Sequence, residues 1–322
     1  MSDSAFSSWD ASFADVLGDA PQLVRVVDVD AHEGPVYVAD EGALYFTSLP
    51  RGTDVGAPVV DIKRLALETL SVEVVRANAN AANGMTLGRD GRLLVCEQGT
   101  LTSHGQITAL DTATGDVETV VDSWRGLRFN SPNDIVVRHD GSIWFTDPSY
   151  GHLQGFKPEP LVGDYVYRYG PRTGQTAPVT DSFVKPNGLA FWPDHSVLYV
   201  TDSGANQEAG SFYPSLPHHI VAFDVSPDGR HLSGERLFAV TTPGFPDGIK
   251  VDTEGRVYAS SFAGVQVFSP QGDLIGEINL PGAINFAFGG AARNTLYITA
   301  DSAIWAATLN AHGPETHLAK GA

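Results

Sequence analysis

Six oxygen-bearing side chains stand at the same phase of a recurring phrase: Glu33 (EGPVYVADEGALYFTS), Asn83 (NGMTLGRDGRLLVCE), Asn133 (NDIVVRHDGSIWFTD), Asn187 (NGLAFWPDHSVLYVTD), Asp247 (DGIKVDTEGRVYASS) and Asn285 (NFAFGGAARNTLYITA). They are two carboxylates and four amides, with no lysine or arginine among them. Carboxylate and amide-carbonyl oxygens are the donors preferred by hard divalent cations such as Ca²⁺ and Mg²⁺, whereas zinc sites draw mostly on Cys and His. A tight turn at the start of each repeat would also select Asn, Asp and Gly. It gives no reason for Glu33, a poor turn residue, at the first phase. The motifs of other chemistries are missing: no GxSxG, no HExxH, no Cys-x-x-Cys and no GxxxxGK[ST] occurs. Asp28-x-Asp30 begins like a calcium loop but continues with His32 and Glu33 where a ligand and glycine belong.

The elements that must position these side chains follow from the same phrase. Each copy reads as two strands around a turn such as Asp90-Gly91, Asp140-Gly141 or Glu254-Gly255, followed by an alternating run such as Leu-Tyr-Phe or Ile-Trp-Phe. The copies start 50, 50, 54, 60 and 38 residues apart, which leaves room for a second hairpin in each interval. Such hairpins are legible at 107–121 around Thr114-Gly115, at 165–179, and at 219–237 around Asp228-Gly229. Six units of four antiparallel strands make a six-bladed β-propeller, an all-β fold with a central channel. Radial repetition then brings the leading polar residues to one axial space. Residues 1–20 read as an N-terminal arm or short helix and 21–322 as the propeller. The strand-like segment 21–29 is expected to complete the last blade, and the insertion 202–219 to form a loop or lid on one face.

Composition agrees with one large all-β domain: 42% hydrophobic residues supply a core, and 34 Gly with 20 Pro supply turns. A formal net charge of -18 repels nucleic acid and anionic membranes over a Debye length of roughly 8 Å, so neither is an expected partner. The lone Cys96, within Leu93-Leu94-Val95, reads as a buried strand residue. The start Met1-Ser2-Asp3-Ser4 lacks the features of a signal peptide, and no apolar run reaches the ~18 residues of a membrane span. A cytoplasmic protein is the expectation.

The motifs EGPVY (33–37), SPND (131–134), PNGL (186–189) and PDGI (246–249), in this order, resemble the SMP-30/gluconolactonase/luciferin-regenerating enzyme family over roughly residues 21–310. The resemblance implies a six-bladed propeller with one divalent metal in the axial channel, hydrolysing lactones of sugar acids or related rings. By motif it makes Glu33, Asn187 and Asp247 metal ligands, Asp247 also the general base, and Asn133 a ligand or substrate contact. It also implies a substrate-contacting arginine near that asparagine, and the arginine here is Arg128, five residues earlier. HEGPVY is similar to fungal and bacterial lactonohydrolases, which widens the substrates to pantoyl-type lactones.

The reaction so implied is attack of water on a lactone carbonyl polarised by Ca²⁺, or by Mg²⁺, Mn²⁺ or Zn²⁺, with Asp247 taking the proton and Asn83 orienting the ring. Two other functions use the same features: hydrolysis of organophosphate triesters or other activated esters, and a non-enzymatic propeller whose metal serves rigidity. Outside the six positions, Asp147 and Asp202 read as turn-forming ahead of ligation, and Tyr150 and His152 fall on a loop, as exposed residues without a role ahead of substrate contacts. His32 reads as packing, and His218-His219 as loop.

Overall fold

The second strand of every repeat is apolar at consecutive positions, and strand geometry sends those side chains alternately to opposite faces. Leu93 and Val95 therefore pack toward the preceding repeat, and Leu94 and Cys96 toward the following one. Trp144 likewise faces one way, and its neighbours Ile143 and Phe145 the other. A strand buried on both faces requires a sheet on each side. A closed ring of sheets meets that requirement without leaving an uncovered end.

In the computed structural model, which describes residues 4–52, 57–208 and 210–315, the ring has six blades. Blade one comprises Val36–Val38, Ala43–Thr47, Ile62–Ala66 and Ser71–Arg76, counted outward from the axis. Blades two to six begin at the axis with Ala82–Leu87, Ile135–Val137, Pro186–Phe191, Ile249–Val251 and Asn285–Gly289. Neighbouring strands within each blade are antiparallel. Six apolar clusters fill the six blade-to-blade interfaces, each drawing side chains from two adjacent sheets. Each large aliphatic or aromatic side chain buried there contributes about 1.5–3 kcal/mol. The expected second hairpins are present, including Gln106–Leu110 with Val117–Val121 and His219–Val225 with Leu232–Val240.

The ring closes as the sequence suggested. Gln22–Ala31 is the outer strand of blade six, pairing with Asp301–Thr308 in the register Val24↔Ala306 and Val27↔Ile304. The arm before it is more than an appendage. Phe6–Ser8 adds a fifth strand to blade five beside Leu274–Asn279. The helix Phe13–Leu17 buries Phe13 and Val16 completely in the cluster between blades five and six. Gly276 admits the Phe13 ring, because a Cβ there would lie 2.2 Å from it. Residues 1–3 of the expected arm, Ala209 of the insertion and residues 316–322 lie outside the described residues. Among the described residues no helix is long and apolar enough to cross a membrane.

Candidate active site

Five of the six leading side chains line one cavity of about 540 Å³: Glu33, Asn83, Asn133, Asn187 and Asp247. A second cavity of about 230 Å³ lies at the other ends of the same inner strands, among Leu87, Val137, Phe191, Val251 and Phe288. It contains none of the five. The polar cavity is therefore where these side chains can act together.

Their positions are set by close contact between inner strands. Glycine follows four of the six leading residues, Glu33, Asn83, Asn187 and Asp247, because the next blade presses on that position. A Cβ on Gly84 would lie 2.5 Å from the Asn133 carbonyl oxygen, and one on Gly188 would lie 2.3 Å from that of Asp247. Neither glycine has a positive φ, so the demand is space rather than a left-handed turn. Gly34 meets both demands, with φ +59° and the Asn83 carbonyl oxygen 2.6 Å from a built Cβ.

Hydroxyls on the second strands complete the frame. Thr47 Oγ1 donates to the Glu33 carbonyl at 3.0 Å, Thr146 Oγ1 to that of Asn187 at 2.8 Å, and Thr201 Oγ1 to that of Asp247 at 3.1 Å. Thr299 Oγ1 donates to the His32 carbonyl at 2.7 Å, and Ser260 Oγ accepts the Asp247 N–H at 2.9 Å. All five hydroxyl residues are buried. Blade two has Cys96 at this phase. The repeated threonine is visible in FTS, FTD, VTD and ITA and was not singled out from sequence.

The cavity gathers buried oxygen donors and two carboxylates. Glu33 is 4% exposed, and Asn133 and Asn187 are 6% and 5% exposed. Asp247 keeps part of its surface open to the cavity. Burial first, and then the adjacent Glu33 carboxylate, push the Asp247 carboxyl well above the usual carboxylate range. The Asn187 side chain opposes this by hydrogen bonding to the ionised form. Asn83 Oδ1 is buried with no hydrogen-bond partner. Two carboxylates set against each other beside an unpaired amide oxygen fit a hard divalent ion, which would relieve the repulsion and satisfy the orphaned acceptor. Among the described residues no cluster of three or more His, Cys, Asp or Glu offers an alternative centre.

The remaining residues divide clearly. Asn285 stands behind the cavity wall: its Nδ2 donates to Glu33 Oε2 at 2.8 Å, and its Oδ1 accepts the Phe286 N–H at 2.8 Å. Arg128 does not line the cavity. It sits on the short hairpin Ser123–Trp124/Leu127–Arg128, exposed and ion-paired with Asp122, because the five residues to Asn133 carry it out to the rim. Tyr150, expected as an exposed loop residue, is buried on the helix Tyr150–Leu153 and faces the cavity, whereas His152 is exposed. His32 also lines the cavity, its Nδ1 2.8 Å from Asp301 Oδ1, a pairing made only by ring closure across 269 residues. Asp147 and Asp202 face away and tie down the loops that enter the inner strands. Asp147 accepts the Asn130 and Ser131 N–H groups at 2.9 and 2.8 Å, and Asp202 those of Val184 and Lys185 at 3.0 and 2.9 Å. Asp134, which sequence reasoning passed over as part of SPND, is 4% exposed with Oδ2 unpartnered. Burial pushes its carboxyl up to about 6 despite the opposing charge of Lys250.

Residues 31–302 match the SMP-30/Gluconolactonase/LRE-like region. The chain belongs to that family. Relatives within reach of sequence comparison include the lactonohydrolase oryL of Aspergillus oryzae, 31% identical over 91% of this chain and 71% of its own. The gluconolactonase of Zymomonas mobilis is 30% identical over 89% and 81%. Among solved structures, a gluconolactonase from Xanthomonas campestris superposes with a TM-score of 0.79 at 33% identity, covering 94% of each chain. Regucalcin from Agrobacterium tumefaciens, described as a calcium-binding protein, shares the fold at 17% identity with a TM-score of 0.71 over 94% of this chain and 98% of that one. Glu33 of EGPVY, Asn133 of SPND, Asn187 of PNGL and Asp247 of PDGI all lie within the matched region and line the cavity.

Proposed function

We propose that this family member is a metal-dependent lactonase, in which Glu33, Asn133, Asn187 and Asp247 hold one divalent cation, Ca²⁺ by donor type. The observation that carries this reading is the gathering of those four side chains and Asn83 around one cavity. The names of the relatives, lactonohydrolase and gluconolactonase, support the same reaction. When bound, the cation supplies Lewis-acid polarisation of an ester carbonyl and compensates the charge developing on its oxygen.

The chain's own residues do the rest. Asp247 accepts a proton from the attacking water as its oxygen bonds to the carbonyl carbon. The ring C–O bond then breaks, and the departing oxygen takes up that proton to give a hydroxy acid. Asn285 and Thr47 fix Glu33, at its carboxylate and its backbone carbonyl respectively. Asn187 holds the Asp247 carboxylate by a hydrogen bond. Asn83, with a free amide oxygen, orients the ring or completes the ligand set.

The test is a pH-stat assay on glucono-δ-lactone, pantolactone and a phosphotriester, with calcium and with chelator. Lactone opening that chelation abolishes is the expected result. Turnover of the phosphotriester alone would make this a phosphotriesterase, and no metal-dependent turnover of any ester would refute the hydrolase reading. Asp247→Asn is expected to lower kcat by about 10²–10⁴-fold at saturating metal, measured by initial rates.

A further inference from the structure

The wall of the polar cavity is uneven. Away from the ligand positions, blades one to four carry the long polar side chains Gln98, Gln154 and Asn206, whereas blades five and six contribute Phe245, Phe262 and Ile284, with the small hydroxyls of Ser260 and Ser261 already bonded to the Asp247 N–H and the Gly264 carbonyl. Among the described residues no lysine or arginine lines it. Phe262 is 48% exposed and lines the cavity.

The exposure is built in. The Phe262 ring lies against Gly244, where a Cβ would come within 2.4 Å of it, and the Phe262 N–H donates to the Pro243 carbonyl at 3.1 Å. Phe245 meets the ring edge-on at 5.2 Å, and Phe212, from the loop between blade-four strands, does so at 5.5 Å. Phe245 and Phe262 line the cavity, and with Phe212 packed against Phe262 they form an apolar shelf open to it. Holding such a surface in water is unfavourable unless a ligand covers it.

The geometry points to a neutral lactone that carries an alkyl or aryl substituent, its ester directed to the cation ligands and its substituent laid on the Phe262 shelf. This assignment rests on the lactonase reading and narrows it. Two carboxylates without a lining lysine or arginine disfavour phosphorylated or carboxylated rings. The apolar arc disfavours a ring hydroxylated on every side, because its hydroxyls would lose water against Phe245 and Phe262 without gaining partners.

Binding and turnover separate the two readings. Calorimetry with the calcium-loaded enzyme compares δ-valerolactam with its 6-butyl derivative, ester analogues that water does not open. Initial rates compare δ-valerolactone, δ-nonalactone and glucono-δ-lactone. The expected result is at least tenfold tighter binding of the butyl lactam, together with a kcat/KM for δ-nonalactone at least tenfold above that for δ-valerolactone, gained through KM. Within Phe262→Ser both ratios fall toward one, and within Phe262→Leu they largely recover. Each ratio is taken inside one variant, so a general loss of activity cancels. Equal binding of the two lactams, or ratios unchanged in Phe262→Ser, overturns the shelf. Lactam discrimination without turnover of any lactone would uphold the shelf and reject the hydrolase.

Discussion

At the scale of single residues, Asn285 and Asp61 show how partners, rather than residue type, assign a role. Asn285 shares the phase of the proposed ligands, yet it bonds to Glu33 instead of lining the cavity. Removing a group that orients a ligand typically weakens metal binding 10- to 100-fold. Calorimetric calcium titration of Asn285→Ala should therefore show a Kd raised by that factor, and an unchanged Kd would contradict the arrangement. Asp61, on the loop entering blade one's third strand, is 8% exposed. Burial alone would raise its carboxyl, but the Arg51 guanidinium at 2.5 Å and the Asn78 N–H at 2.8 Å outweigh that and hold it below the usual carboxylate range. Because the folded value is the lower one, the stabilisation is present above the unfolded value of about 3.9 and disappears as pH falls through the folded one. The difference in Tm between wild type and Asp61→Asn should thus be constant near neutrality and shrink below about pH 4. A difference that persists undiminished to pH 2 would remove this ion pair from the acid response.

At the scale of elements, the inner strands act as precise spacers. Gly188 lies so close to the neighbouring inner strand that Gly188→Ala must move the backbone carrying Asp247. Overpacking of this kind costs roughly 1–3 kcal/mol, and here it also displaces a proposed ligand. The expected outcome is a lowered Tm and weaker calcium binding with an unaltered far-UV spectrum. Gly52→Ala, whose Cβ would meet nothing within 4 Å among the described residues, should leave both within error. Equal effects from the two substitutions would refute the spacing argument. The repeated glycines were legible in sequence but open to a turn explanation, because the pressing backbone belongs to the next blade, about fifty residues away. The threonine hydroxyls were equally visible, and their role was hidden for the same reason: Thr146 serves Asn187, and Thr201 serves Asp247, each in the following blade.

At the scale of the whole molecule, the proposed cation is held by blades one, three, four and five, so it couples sheets far apart in sequence. A ligand bound only by the folded state adds about 2.7 kcal/mol when present at 100 times its Kd. Chelation should therefore lower the Tm by several degrees in one cooperative transition, reversed by added calcium. A Tm indifferent to chelator would argue against an axial ion. The blade count, the antiparallel hairpins, a closing strand expected at 21–29 and found at Gln22–Ala31, and five of the six leading polar positions were legible in local sequence, because strand alternation and turn chemistry act over a few residues and six copies repeat them. Contacts between distant segments were decided only by tertiary structure. Ring closure sets His32 beside Asp301 and packs the arm's Phe13 between blades five and six. Helix placement turns Tyr150 inward, the rim hairpin carries Arg128 away from the cavity, and the loop packing joins Phe212 to Phe262. Such pairings depend on where the ring brings separate chain segments together, which no local pattern encodes.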